Sequence, residues 1–232
     1  MMQQLKETYT IKTFDVGPMA NIVYVVTDNK TRETAIIDPA WDMSEIYKYL
    51  GKNELILKKI LLTHSHHDHV NAIDDVLKSH DVEIHINKKE QFFWKKEYDS
   101  FVINYGGDVI NLGKTKITSL HTPGHTPGST CYYVGDSLIA GDTLFVFGCG
   151  RCDLHGGSPE EMFHTLKKIK NSLNSNTIIL PGHNYSIKKE STLKEEIEGN
   201  PFMHFNDVNK FVDYRMKLHD KIRNSPYGPV NE

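Results

Sequence analysis

Apolar and β-branched residues fall in short runs separated by turn formers. Tyr9 to Phe14, Asn21 to Val26 and Thr34 to Ile37 are rich in Val, Ile, Tyr and Thr, and Gly17-Pro18 and Asp28-Asn29 bound them, which predicts three strands. Asp42 is placed to cap a helix over Ser44 to Leu50 that Gly51 ends. Leu55 to Leu62 reads as a buried strand, Val70 to His80 as a helix with Ile73, Val76 and Leu77 on one face, and Val82 to Ile86 as a short strand. A second β-rich block covers Lys116 to Leu120, Ser129 to Val134 and Ser137 to Ala140. A helix over Pro159 to Leu173 follows, with Ser158 as N-cap, Pro159 at the first helical position and Glu161 completing a capping box. Thr177 to Leu180 is a last strand, and two polar helices occupy roughly 188–198 and 206–222. The end, Asn224 to Glu232, carries Pro226, Gly228 and Pro229 and is expected to be a loosely held terminus.

Strands and helices thus alternate in two blocks, with no βαβ phosphate loop and no repeat. The pattern predicts an α/β layered fold with two sheets inside and helices outside. The chain has 232 residues, one domain plus a modest appendage against a prior of about 100–200 residues per domain. Lys plus Arg is 27 and Asp plus Glu is 30, a formal charge of −3. Non-specific nucleic-acid binding needs a basic field, so no nucleic-acid partner is expected. No run approaches the roughly 18 apolar residues of a membrane helix, so no membrane partner is expected either. The start, Met1-Met2-Gln3-Gln4-Leu5-Lys6, has no apolar secretory stretch, and three cysteines cannot form a disulfide framework. A soluble cytoplasmic protein is the expectation.

The 13 histidines change this bland picture. Thr63-His64-Ser65-His66-His67-Asp68-His69 sits directly after one predicted strand and before a helix. Extended backbone sends alternate side chains to one face, so His64 and His66 can point the same way, and Asp68 and His69 open the helix nearby. Imidazoles and a carboxylate suit zinc, and equally iron or manganese. Three further strands end in His121-Thr122-Pro123-Gly124-His125, Gly141-Asp142-Thr143 and Pro181-Gly182-His183. All four clusters can therefore converge on one sheet edge, where strand ends hold ligands rigidly.

That set, His-x-His-x-Asp-His, Gly-His-Thr-Pro-Gly, Gly-Asp-Thr and Pro-Gly-His, resembles the metallo-β-lactamase-fold hydrolases, and within them the glyoxalase II (hydroxyacylglutathione hydrolase) group, from about Phe14 to Met203. The resemblance implies an αββα sandwich of two mixed β-sheets flanked by helices. The catalytic domain is expected over 1–200, with a short helical extension, 201–232, packed on it. Two zinc ions per chain are implied, with iron or manganese as substitutes. His64, His66 and His125 would hold the first, Asp68, His69 and His183 the second, and Asp142 would bridge them. Asp38 matches a carboxylate beside the metals, where it would orient a ligand imidazole. His67 and His121 are left as non-ligands. Arg151 and Tyr185 match substrate-contacting residues. Asp153 and His204 depart from the glyoxalase II pattern, which carries an aromatic and an arginine there. The stretch from Gly148 to Leu154, with Asn200-Pro201-Phe202, is most similar to bacterial zinc hydrolases encoded with polyketide synthases, where the thiol would be an acyl carrier protein's phosphopantetheine.

Two metals roughly 3.5–4 Å apart share a hydroxide at neutral pH that attacks a carbonyl, with Asp68 orienting it or taking its proton. No separate general acid stands near these clusters. That favours a thiolate leaving group, whose pKa is about 8.5. The expected function is hydrolysis of a small-molecule or carrier-protein-bound acyl thioester. The competing reading is a persulfide dioxygenase of the same fold, with one iron on two histidines and an aspartate. Retention of Asp68, His69 and His183 speaks for the dinuclear site. Cys149-x-x-Cys152 is expected to be a packed, reduced pair, since a zinc ribbon needs a second pair.

Overall fold

The structure is a computed structural model that describes residues 8–230; Met1 to Lys6, read above for a secretory stretch, lies outside them. Six strands form the first sheet in chain order: β1 (Tyr9–Val16), β2 (Asn21–Asp28), β3 (Glu33–Ile37), β4 (Ile56–Leu61), β5 (Glu83–Asn87) and β6 (Phe101–Asn104). β1 to β3 pair antiparallel and β3 to β6 parallel. The second sheet holds β7 (Val109–Leu112), β8 (Thr115–His121), β9 (Thr130–Val134) and β10 (Ser137–Gly141). A ribbon, β11 (Leu144–Phe145) and β12 (Gly148–Cys149), stands apart, and β13 (Ile178–Pro181) and β14 (Ser191–Thr192) complete the second sheet in the order β14-β13-β10-β9-β8-β7. Only its β10–β13 pair is parallel, so both sheets are mixed.

Alternation along β2 shows how the layers form. Ile22, Tyr24 and Val26 face Ile117, Tyr132, Val134 and Ile139 of the second sheet, while Val23 and Val25 join an apolar cluster with Ile46, Leu50, Ile73 and Val76 on helices. A strand with side chains buried on both faces reads as a continuous apolar run. On the far side, Cys131, Leu138, Ala140 and Ile179 pack on Met162, Phe163, Leu166 and Ile169, with Phe202 and Phe211 in the same cluster. Helix, sheet, sheet and helix follow one another, the αββα sandwich expected.

The helices are α1 (Ser44–Lys52), α2 (His67–Val70), α3 (Ile73–Leu77), α4 (Lys88–Trp94), α5 (Pro159–Ser172), α6 (Leu193–Gly199), α7 (Val208–Asp213) and α8 (His219–Ile222). Several departures from expectation have local causes. Gly51 lies inside α1, which Met43 precedes, while Asp42 accepts hydrogen bonds from the Ser44 amide and hydroxyl one step outside. The helix expected over 70–80 is broken between α2 and α3, because the Ala72 amide leaves the helical ladder to donate to the Pro39 carbonyl. Ser158 caps α5 by accepting from the Glu161 amide, but its own amide donates to Gly124, so the capping box is half made. The complete box is at Thr192 and Glu195, which starts α6 at Leu193 and leaves 191–192 to pair with β13. A π turn, Tyr214–Leu218, joins α7 to α8. From Asn224 to Val230 the tail is anchored, not loose: the Tyr227 carbonyl accepts from the Ile187 amide and its amide donates to Tyr185, while the Val230 amide donates to Gly199; Asn231 and Glu232 lie outside the described residues.

Candidate metal centre

Each cluster lies at the end of a strand or just beyond it. Asp38 follows β3 with φ +54°, His64 to His69 follow β4, His125 sits in the loop after β8, Asp142 follows β10 and His183 follows β13. Glycines let these ends close up. A Cβ on Gly141 would lie 2.4 Å from Thr63 Oγ1, and one on Gly182 would lie 2.5 Å from Asp142 Oδ1.

The ligating atoms of His64, His66 and His125 lie within 4.8 Å of one another, as do those of Asp68, His69 and His183. Asp142 stands between the two groups. Its Oδ2 is 3.5 Å from His125 Nε2 and 3.4 Å from His183 Nε2, and its Oδ1 is 3.3 Å from His69 Nε2. Asp68 Oδ2 lies 3.4 Å from His183 Nε2 and 3.6 Å from His69 Nε2.

Four imidazoles are held from behind through Nδ1. His125 reaches the Arg151 carbonyl at 2.7 Å, His183 the Met19 carbonyl at 2.9 Å, His69 the Asp38 carboxylate at 2.9 Å and His64 the Thr63 hydroxyl at 3.0 Å. A carbonyl or carboxylate can only accept, so Nδ1 carries the proton in His125, His183 and His69 and the Nε2 lone pair faces the centre. Thr63 in turn donates to Asp38 Oδ2, which makes its oxygen the acceptor for His64. His66 presents Nδ1 instead, 2.9 Å from His125 Nε2.

These atoms fit a bound cation. His66 Nδ1 and His125 Nε2 oppose each other at 2.9 Å, and His69 Nε2 and His183 Nε2 at 3.1 Å. His64 Nε2 and Asp142 Oδ1 are buried without a hydrogen-bond partner. Converging acceptors of this kind are satisfied together only by positive charge, and imidazole with carboxylate suits zinc, iron or manganese. Asp38, His64 and His69 also lie close enough to form a third group. Asp38, however, already accepts from the Thr63 amide, the Thr63 hydroxyl and His69, so its oxygens are engaged behind the imidazoles.

Burial pushes the His64 imidazole well down and His125 down to about 4, which keeps both neutral as metal ligands must be. At His69 burial works the same way, but the carboxylates of Asp142, Asp38 and Asp68 outweigh it and raise the group to about 9, so its Nε2 lone pair becomes available when a bound cation displaces the second proton.

The centre opens into a cavity of about 930 Å3. Both Arg151 and Tyr185 line it. Arg151 spends its guanidinium on Asp153, at 3.0 and 2.6 Å, while Tyr185 stacks on the His183 ring, centroids 4.6 Å apart and nearly parallel. His67 is exposed with its ring edge-on to Trp41, and His121 pairs with the Pro127 carbonyl, so neither joins a cluster. All three cysteines are free and buried.

Sequence reasoning missed four residues here. Asn21 donates to both the carbonyl and Oδ2 of Asp68 and accepts from the Trp41 indole. Fully buried Glu90 accepts from the loops that carry His64, His66 and His125. Arg215 and Tyr227 line the cavity from the C-terminal segment. None lies in a recognisable motif; an acidic residue in a seven-residue helix and an arginine in a polar segment carry no local signal.

The profile of the Metallo-beta-lactamase superfamily matches residues 16–183. The probable polyketide biosynthesis zinc-dependent hydrolase PksB of Bacillus subtilis is 32% identical over 215 residues, 93% of this chain and 95% of that protein. The probable hydroxyacylglutathione hydrolase glo2 of Schizosaccharomyces pombe is 31% identical over 205 residues, 85% of this chain and 75% of that protein. Among solved structures, TTHA1623 in a di-iron-bound form superposes with a TM-score of 0.71 at 28% identity, covering 82% of this chain and 99% of that one. The chain is thus related both to polyketide-biosynthesis hydrolases and to glyoxalase II-type proteins. Among the described residues, no helix is long and apolar enough to cross a membrane.

Proposed function

The chain belongs to the metallo-beta-lactamase superfamily, and within it we propose a dinuclear metal-dependent hydrolase of acyl thioesters. The observation that carries this reading is the pair of ligand clusters on either side of Asp142, at the base of one cavity. In this reading His64, His66 and His125 would hold one ion, Asp68, His69 and His183 the other, and Asp142 stands within reach of both clusters. Two ions so held supply a water activated at neutral pH and a Lewis acid for a carbonyl.

The chain's own side chains do the rest. Asp68, whose Oδ2 is fixed by Asn21 at 2.9 Å, would orient the attacking water or take up its proton while remaining a ligand. Tyr185, stacked on His183, forms a flat apolar wall beside the carbonyl. A thiolate leaves without protonation, since its pKa is about 8.5. The thiol portion would run along the outer cavity toward Arg215, which is 4% exposed and whose Nε is buried without a partner. Its Nη1 already meets His219 Nδ1 at 3.0 Å and Asp220 Oδ1 at 3.4 Å, and the Nε left over favours an anionic group, the carboxylate of glutathione or the phosphate of phosphopantetheine. The relationship to polyketide-biosynthesis hydrolases supports the second.

The test is a panel of glutathione, coenzyme A and acyl-carrier thioesters, assayed with metal content quantified. Two ions per chain and turnover of at least one thioester are expected. One iron per chain, with oxygen uptake on glutathione persulfide and no thioester turnover, would replace this reading by the dioxygenase one.

A further inference from the structure

Two buried carboxylates, Asp38 and Glu90, stand behind the ligand clusters, and only Asp38 reaches both. Asp38 serves His69 directly and His64 through Thr63. Glu90, in the first turn of α4, is 0% exposed and touches no ligand. Its Oε1 accepts from the Ser65 amide at 2.8 Å and the Ser65 hydroxyl at 2.6 Å. Its Oε2 accepts from the Thr126 hydroxyl at 2.7 Å and the Gly128 amide at 3.0 Å. Ser65 stands between His64 and His66, and Thr126 follows His125. Every imidazole of the first cluster is therefore one residue from a Glu90 partner. The second cluster is held by other groups: Asn21 on Asp68, Asp38 on His69 and the Met19 carbonyl on His183.

The loops have no slack around this carboxylate. A Cβ on Gly128 would lie 2.1 Å from the Glu90 amide nitrogen, so the His125 loop lies directly on α4. One anionic side chain collects four donors from two loops that share no backbone hydrogen bond with α4 through Ser65 or Thr126. An amide in its place would turn an NH2 toward some of those donors, and the loops would part.

We propose that Glu90 is a positioning residue for the first cluster alone, setting the separation of the His64–His66 turn from His125 and hence the affinity of that one metal site. This rests on the dinuclear reading above. It differs from a general structural role in being confined to one site.

The test measures zinc affinity by competition with a chromophoric chelator in two backgrounds. His183→Ala cripples the second cluster and His125→Ala the first. Adding Glu90→Gln is expected to weaken zinc roughly 10–100-fold in the His183→Ala background and to change it by less than about twofold in the His125→Ala background. Equal weakening in both, or none in the first, overturns the proposal. Thermal melts in chelator show whether Glu90→Gln folds. If it does not, Ser65→Ala, which removes one donor and keeps the carboxylate, is expected to show the same one-sided loss at a few-fold scale, and a symmetric or absent loss overturns the proposal equally. Wild-type protein that binds fewer than two zinc ions would overturn the dinuclear reading itself, a result distinct from symmetric weakening in a protein that binds two.

Discussion

At the ligand edge four of the five clustered imidazoles are braced from behind by a neighbour, and the brace is itself fixed where it is Asp38, which is 3% exposed and takes three hydrogen bonds. On the outer wall of the same cavity, Arg151 is braced only by Asp153, two residues away, and their side chains are 59% and 41% exposed. Solvent-exposed pairs of this kind are worth about 0–1 kcal/mol, so a ligand can displace them cheaply. Buried, multiply bonded groups cannot move without leaving a partner unsatisfied. The inner edge is thus organised in advance, and the outer wall is left free to adjust to what enters the cavity. Arg151 belongs to both regions, since its carbonyl holds His125 while its guanidinium faces the cavity.

That contrast can be broken first at its strongest point. Asp142→Ala is expected to lower kcat/KM by more than Asp38→Asn, whose loss through misorientation should be roughly 10–100-fold. Asp142 faces both clusters, so metal content should fall as well. Near-wild-type turnover in Asp142→Ala with two ions still bound would sink the bridging assignment.

A smaller effect is expected at the outer wall. Arg151→Ala keeps the backbone carbonyl that holds His125, and should raise KM a few-fold with kcat nearly unchanged, the signature of uniform binding. Steady-state kinetics on a glutathione thioester and a carrier thioester decide this. An equal fall in kcat on both, without a KM effect, would instead assign the Arg151–Asp153 pair to stiffening its loop.

The smallest effect concerns the support of the wall. Glu196 is fully buried and takes hydrogen bonds from the Phe147 amide beyond β11, Ser191 and Asn200. Burial dominates these bonds and raises its carboxyl from 4.5 to about 7. The folded state therefore holds this proton more tightly than the unfolded chain, so its contribution is full below pH 4.5 and declines as pH rises toward 7. Urea unfolding across that range should show a shallower loss of stability in Glu196→Gln than in wild type. Identical pH profiles would exclude Glu196 as the source.

The ligand motifs were legible because they are local. The spacing of His64 and His66 needs only extended backbone to bring the two rings together, and their centroids lie 4.8 Å apart. The apolar runs that became β2, β4 and β10 are equally local. α4 escaped notice because the residue it buries, Glu90, is an acid, which erases the apolar stripe that marks a helix. β6 and β7, four residues each, are too short for alternation to stand out.

By itself, then, the sequence determined the layered fold, the strand ends and the set of side chains that converge there. Only the tertiary structure decided which group stands behind each of them. Asp38 meets His69 across 31 positions, Glu90 meets Thr126 across 36, and the Met19 carbonyl meets His183 across 164. Periodicity governs which face a side chain takes, and it acts over a few residues. The partner of a buried polar group is fixed by how the sheets close on each other, and no local pattern carries that information.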